Sequence, residues 1–118
     1  MGNIWRTGIA SLALSLLSAE SIAKNDDWTP NQKQISHLEQ KLEMPKGTHP
    51  LAKYGRYYWG ETEKGERVIY GALVWGHPTG IHLKKPHGLK AFDQGCNWVF
   101  VMYRPRDKKP IARCDGLA

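Results

Sequence analysis

Apolar residues recur along this chain at two spacings, and each predicts a different kind of element. Ile35, Leu38 and Leu42 repeat at helical intervals while Lys33, Glu39, Lys41 and Glu43 face elsewhere, which predicts one amphipathic helix. Thr29 reads as its cap, Pro30 as its first residue and Gln32 as the return partner of a capping box, with an end near Met44-Pro45. Tyr54 to Trp59 has the aromatic density of a strand, and Val68 to Trp75 is a second strand rich in Val, Ile, Tyr and Leu. The polar segment Glu61 to Gly65 joins them as a hairpin. Gly76 to Gly95, dense in Gly, Pro, His and Lys, reads as a long loop with one short strand, its apolar islands at Ile81 to Leu83 and Ala91-Phe92.

Asn97 to Tyr103 is apolar on both faces, which predicts a central strand covered on each side, and Arg104 to Lys109 turns the chain into a last strand from Pro110 to Asp115. A hairpin centred on Pro105 sets Cys96 opposite Cys114, Trp98 opposite Ala112 and Phe100 opposite Pro110, with Trp98 and Phe100 facing the helix stripe. The element order predicts an α+β domain in which one helix packs on a four- or five-stranded antiparallel sheet, an outline shared with cystatin-like folds.

The first 23 residues read differently. Ile9 to Ala19 is apolar and broken only by serine, Arg6 precedes it, and Ser21-Ile22-Ala23 places small residues at the −3 and −1 positions of a cleavage site. That order of parts is a secretory signal peptide. A membrane anchor is the competing reading, but a spanning helix needs about 20 apolar residues, and polar sequence begins at Lys24. Residues 1–23 are therefore assigned to the leader and 24–118 to a single domain, and no cysteine near the junction offers a lipid attachment point. The implied location is periplasmic or secreted, with no transmembrane anchor after cleavage.

Composition adds charge to this picture. The 118 residues are 41% hydrophobic and 24% charged, as in ordinary globular domains, and 17 Lys+Arg against 11 Asp+Glu give a formal charge of +6. Arg6 and Glu20 are the charged side chains of the leader, so its removal leaves the balance unchanged. Polyanions are plausible partners on that ground. The two cysteines, Cys96 and Cys114, fit a disulfide in an oxidising compartment, closing a loop of roughly 18 residues worth about 3 kcal/mol in the chain-entropy model. Two free buried thiols are the alternative.

Met44-Pro45-Lys46-Gly47-Thr48-His49-Pro50-Leu51, then Tyr54, Arg56-Tyr57-Tyr58, Gly80-Ile81-His82-Leu83, Gly95-Cys96 and the ending Cys114-Asp115-Gly116-Leu117-Ala118, resemble small exported proteins of unknown function from alphaproteobacteria. The resemblance spans most of the chain after residue 43. It implies a bacterial envelope or secreted location and carries no activity with it.

Recognisable catalytic patterns are lacking. The sequence holds no phosphate-binding glycine loop, no zinc cysteine pairs and no nucleophile elbow, and nothing in it calls for a cofactor. His77, His82 and His87 are spaced by five, which matches neither i,i+4 on a helix nor i,i+2 on a strand, so no metal site is assigned to them or to His49. A small ribonuclease-like hydrolase is the enzyme alternative, with Glu61, Glu63 or Glu66 as base, His82 or His87 as acid and Arg56 or Arg67 as phosphate clamp. The guanyl-specific ribonucleases it is similar to in outline place a histidine near the C-terminus, and none follows His87 here.

The binding alternative rests on cations beside aromatic side chains. Lys84, Lys85 and Lys90 lie in the long loop, Arg104, Arg106, Lys108 and Lys109 in the last turn, and both groups are expected to border the strand carrying Tyr54, Tyr57, Tyr58 and Trp59. Charge plus stacking suits an anionic polymer or an envelope protein. An inhibitor-type loop at Gly76 to Gly80 is a weaker third reading. The export assignment has a direct check: intact mass of the secreted form fits a chain that begins at Lys24 and lacks two hydrogens. Retention of Met1, or uptake of two alkyl groups without reductant, overturns it.

Overall fold

A computed structural model describes residues 28–88 and 95–114. The expected leader at residues 1–23, Lys24 to Asp27, Lys90, the Ala91-Phe92 island and the last four residues lie outside the described residues. Within them the order is α1 (Gln32–Lys41), β1 (Tyr54–Glu63), β2 (Glu66–Trp75), β3 (Gly80–His82), β4 (Trp98–Tyr103) and β5 (Ile111–Cys114). The strands form one five-stranded sheet in the order β3-β1-β2-β4-β5. This is an α+β domain with its helix on one face of the sheet.

The helix starts two residues later than the sequence reading placed it. Asn31 is the cap: its side chain accepts from the Gln34 N–H, and the Gln34 side chain accepts from the Asn31 N–H, each at 2.8 Å. The box is thus Asn31/Gln34 and not Thr29/Gln32, with Pro30 buried just outside. The expected stripe is present, since Ile35 and Leu38 are fully buried and Leu42 packs against the same cluster. Glu39 departs from expectation. It sits four residues after Ile35, on the apolar stripe, where it accepts from Arg56 Nε and from the Tyr58 hydroxyl, both at 2.8 Å.

The β1–β2 hairpin is longer than its apolar residues suggest. Its strands run without interruption to Glu63 and from Glu66, closed by Lys64-Gly65 with φ of 52° and 79°, the backbone of a two-residue turn whose twist matches the strands. Glu61, Thr62 and Glu63 extend the ladder opposite Val68, Arg67 and Glu66. Along β1, Tyr54, Arg56 and Tyr58 face the helix, and Tyr57, Trp59 and Glu61 face away.

β3 pairs with β1 in parallel, Gly55 beside Gly80 and Tyr57 beside His82, so the sheet is mixed and not wholly antiparallel. The cause is a short crossing. β2 ends beside the start of β1, and four residues carry the chain over β1 to its free edge. They pass directly above Gly55, where a Cβ would lie 2.8 Å from both His77 Cβ and the Pro78 carbonyl oxygen. Glycine is required there by close approach.

The final hairpin corrects the expected register. Val99 pairs with Cys114, Val101 with Ala112 and Met102 with Ile111, three residues away from the alignment centred on Pro105. An odd shift exchanges the faces. Val99, Val101 and Tyr103 therefore join the helix-side core, whereas Trp98 and Phe100 point to the other face, and Phe100 is 38% exposed. β4 is consequently an interior strand, and among the described residues only its helix-side face is covered by another element. The Cys96–Cys114 disulfide is formed, with Cα atoms 4.6 Å apart, but Cys96 belongs to the 3-10 turn Gly95–Asn97 ahead of β4. A disulfide demands proximity and not a ladder position.

The Glu39 network gives a stability prediction. Both charged side chains are 15% exposed, so Glu39→Ala leaves Arg56 and the Tyr58 hydroxyl unpaired and costs about 2–4 kcal/mol, a drop in Tm of roughly 10–20 °C. Glu43→Ala, which breaks the exposed pair with Lys109, costs less than about 1 kcal/mol. Equal losses in thermal melts of the two variants contradict the role given to Glu39.

Candidate functional site on the uncovered sheet face

Because α1 covers one side only, the alternate residues of all five strands make up a second surface. Register aligns His82, Tyr57, Ala72, Phe100 and Arg113 in one row across it, and Trp59, Tyr70, Met102 and Ile111 in the next. Trp59, Tyr70, Phe100, Met102, Ile111 and Arg113 border a shallow depression of about 200 Å³. Phe100 and the half-exposed Ile111 are apolar groups left open to solvent.

The crossing loop builds one end of this surface. By passing over Gly55 it sets His77 against Tyr57, whose hydroxyl lies 3.0 Å from His77 Nδ1, and the His82 ring stacks on the Tyr57 ring with centroids 4.7 Å apart. His82 Nε2 is 2.8 Å from the Pro78 carbonyl oxygen and donates to it. Trp98 lies alongside, 6.4 Å from His77 ring to ring. Its indole N–H is buried without a hydrogen-bond partner, which costs about 1–3 kcal/mol. Two of the three evenly spaced histidines thus meet at one tyrosine; His87 is exposed and His49 stacks on Trp75. Among the described residues no group of three or more His, Cys, Asp or Glu side chains has the geometry to hold a metal ion.

The other end is built from carboxylates. Glu61 accepts from Trp59 Nε1 at 2.9 Å and pairs with Lys85 at 3.6 Å. Glu63 accepts from the Tyr70 hydroxyl, and Trp59 and Tyr70 stack with centroids 6.1 Å apart. Glu66 lies between Arg104 and Arg106, at 3.9 and 3.5 Å, and Arg104 also approaches Asp107. The acidic side chains of the hairpin therefore hold both the aromatic pair and the cations around it.

Seen against the residues selected from sequence, Tyr57, Trp59 and Lys85 come together along β1, with the exposed Lys84 next in the chain, and Arg104 and Arg106 stand at the turn end of the same face. Lys109 does not join them, because it turns to Glu43 beyond the helix. Lys108 is exposed and makes no ion pair among the described residues. The hydrolase residues Arg56, Arg67, Glu61 and His82 do not come together. Arg56 and Arg67 occupy the helix side, and Glu61 lies four residues along β1 from the position paired with His82, about 13 Å at strand rise. Tyr70, Trp98, Phe100, Met102 and Arg113 were overlooked in the sequence. Their alternation is visible in it, but identifying their face requires the register.

Comparison with protein-family models, curated proteins and solved structures finds no match to the chain.

The Glu63 contact has a pH signature. Its hydrogen bond, with partial burial and the nearby carboxylate charges, pushes the Tyr70 phenol up to about 12. A raised value means that this contribution is complete below the ordinary tyrosine value near 10 and is lost as pH rises through 12. Burial, with Glu39 beside it, holds Tyr58 higher still. Alkaline absorbance titration is expected to show both phenols ionising late, and Glu63→Gln to return Tyr70 toward its ordinary range. A late Tyr70 transition that survives Glu63→Gln refutes the contact.

Proposed function

We propose that this is an exported, non-catalytic binding domain, periplasmic or secreted, that takes an anionic ligand of the cell envelope on its uncovered sheet face. An anionic polymer is the ligand class favoured. The carrying observation is the group of accessible rings Trp59, Tyr70 and Phe100, with His82 laid over the buried Tyr57 at one end and cations at the margins: Lys84 and Lys85 beside β1, Arg113 on β5, and Arg104 and Arg106 at the turn. Stacking surfaces next to cations attract a polyanion without requiring one sequence or sugar. The disulfide is compatible with an oxidising compartment, and the likeness to small exported alphaproteobacterial proteins belongs to the same reading.

Of the cations at the margins, Lys85, Arg104 and Arg106 are paired at 3.5–4.0 Å, and their side chains are 26–70% exposed. Pairs of that kind contribute little and exchange readily. A ligand phosphate, sulfate or carboxylate can therefore replace Glu61 or Glu66 at modest cost.

Titration of the mature protein with single-stranded RNA and with a sulfated polysaccharide tests this. Affinity is expected to fall steeply with salt, and Lys84→Gln with Lys85→Gln to reduce the RNA salt slope by about 0.7 for each lost phosphate contact. Trp59→Ala removes a stacking surface worth about 1–3 kcal/mol while leaving the slope unchanged. The RNA remains intact. Cleavage that disappears in His82→Ala establishes the hydrolase instead, and salt-independent binding, or none to either polymer, leaves a neutral protein partner as the better reading.

A further inference from the structure

On the opposite side of the sheet, between α1 and the ends of β2 and β4, lies a cleft of about 280 Å³. It is just below the ~300 Å³ at which pockets begin to accommodate drug-sized ligands. Ile69 and Tyr103, 6% and 7% exposed, form its floor, and Pro105 closes one rim. Its polar lining consists of Arg67, His37 and Gln34 with the indole of Trp28, and no carboxylate contributes to it among the described residues. Elsewhere in the structure Arg56, Arg104 and Arg106 are each paired with an acid. Arg67 forms no such pair among the described residues.

Arg67 is instead held by an aromatic plane. Its guanidinium carbon lies over the Trp28 ring, 4.8 Å from the centroid. Trp28 is itself fixed, donating from Nε1 to the Glu61 carbonyl oxygen at 2.9 Å and bridging to Gly60. At Gly60 a Cβ would come within 2.5 Å of the indole, so the ring lies flat on the strand. A stacked guanidinium keeps its N–H edge free for a planar acceptor while losing little side-chain entropy on binding. His37, three residues after Gln34 on the outer side of the helix, tilts against Tyr103 with ring centroids 6.4 Å apart. A preorganised cation, an imidazole and an amide thus surround an apolar floor.

We propose that this cleft binds a small organic anion, a carboxylate borne on a flat apolar body, with Arg67 taking the carboxylate and the Tyr103, Ile69 and Pro105 surface taking the body. The site is independent of the polymer surface on the other face.

The probe is 2-naphthoate, titrated into the disulfide-bonded mature protein by NMR, with the indole signals assigned by Trp→Phe variants and 2-naphthamide as the neutral control. Saturable shifts are expected at the Trp28 indole and Tyr103. Arg67→Gln is expected to weaken naphthoate roughly tenfold or more at unchanged Tm, because Arg67 is exposed, and Arg67→Lys is expected to restore part of the affinity. Naphthamide is expected to bind the native protein as weakly as naphthoate binds Arg67→Gln. Equal affinity for acid and amide, indifference to Arg67→Gln, shifts confined to Trp59 and Tyr70, or no saturation into the millimolar range each overturn the proposal. Loss of RNA binding without loss of naphthoate shifts, or the reverse, separates the two surfaces.

Discussion

Among the described residues one α-helix serves a sheet with two faces, and most of their arrangement follows from that shortage. Ten residues of α-helix are about 15 Å long and 10 Å across, whereas five strands spaced by about 4.8 Å span roughly 19 Å. The helix can shield the middle of one face and nothing of the other. On the shielded side the chain uses Ile35, Leu38, Leu73, Val99 and Val101, groups that need complete burial to contribute. On the unshielded side it uses rings laid along the sheet, which cover their neighbours. Tyr57, Ala72, Val74 and Trp98 are 0–7% exposed there, and no helix of the described residues lies above them.

The attachment of that helix relies on a charged clamp within an apolar stripe. Glu39 meets Arg56 and Tyr58 at 2.8 Å beside fully buried side chains. Buried ion pairs contribute little net stability compared with well-packed apolar residues, but one partner left alone is strongly unfavourable. Such a contact penalises rotation of the helix about its axis or a slide along the sheet, because either motion strands the guanidinium. The same logic of exact position governs Gly55. The chain reaches the free edge of β1 only by crossing where a side chain is missing, and that crossing delivers His77 and His82 to Tyr57.

Periodicity and turn chemistry made the helix, the first hairpin and the disulfide legible in the sequence. What stayed hidden depended on one residue more or less. The turn after Tyr103 is organised by Asp107, whose side chain accepts from the Arg104 N–H while its own N–H donates to the Arg104 carbonyl, and this moved the strand pairing by three positions. Parity then assigned Trp98 and Phe100 to the wrong face. β3 was visible as an apolar island, but its direction was set by a steric vacancy at Gly55 and not by its own residues. Glu39 was read as solvent-facing from its charge, although its spacing from Ile35 placed it on the stripe. For the candidate site, the aromatic and cationic side chains were readable one by one, while their division between two faces was not.

Arginine and glutamate meet at both ends of this molecule with different consequences. Between α1 and β1 the pair is short, shielded and shared with a phenol, so water and salt have little access to it. At the turn end Arg104 and Arg106 reach Glu66 at 3.5–3.9 Å in the open, where solvent screens the attraction and side-chain entropy opposes it. A shielded contact resists exchange and defines geometry; an open one holds cations near an aromatic surface while leaving them available to another anion. Arg67 is a third case, oriented by the Trp28 ring and with no acid attached among the described residues. Among the described residues the cations are therefore unevenly available: bound at the helix, exchangeable around the aromatic face, and without an acid partner at the cleft.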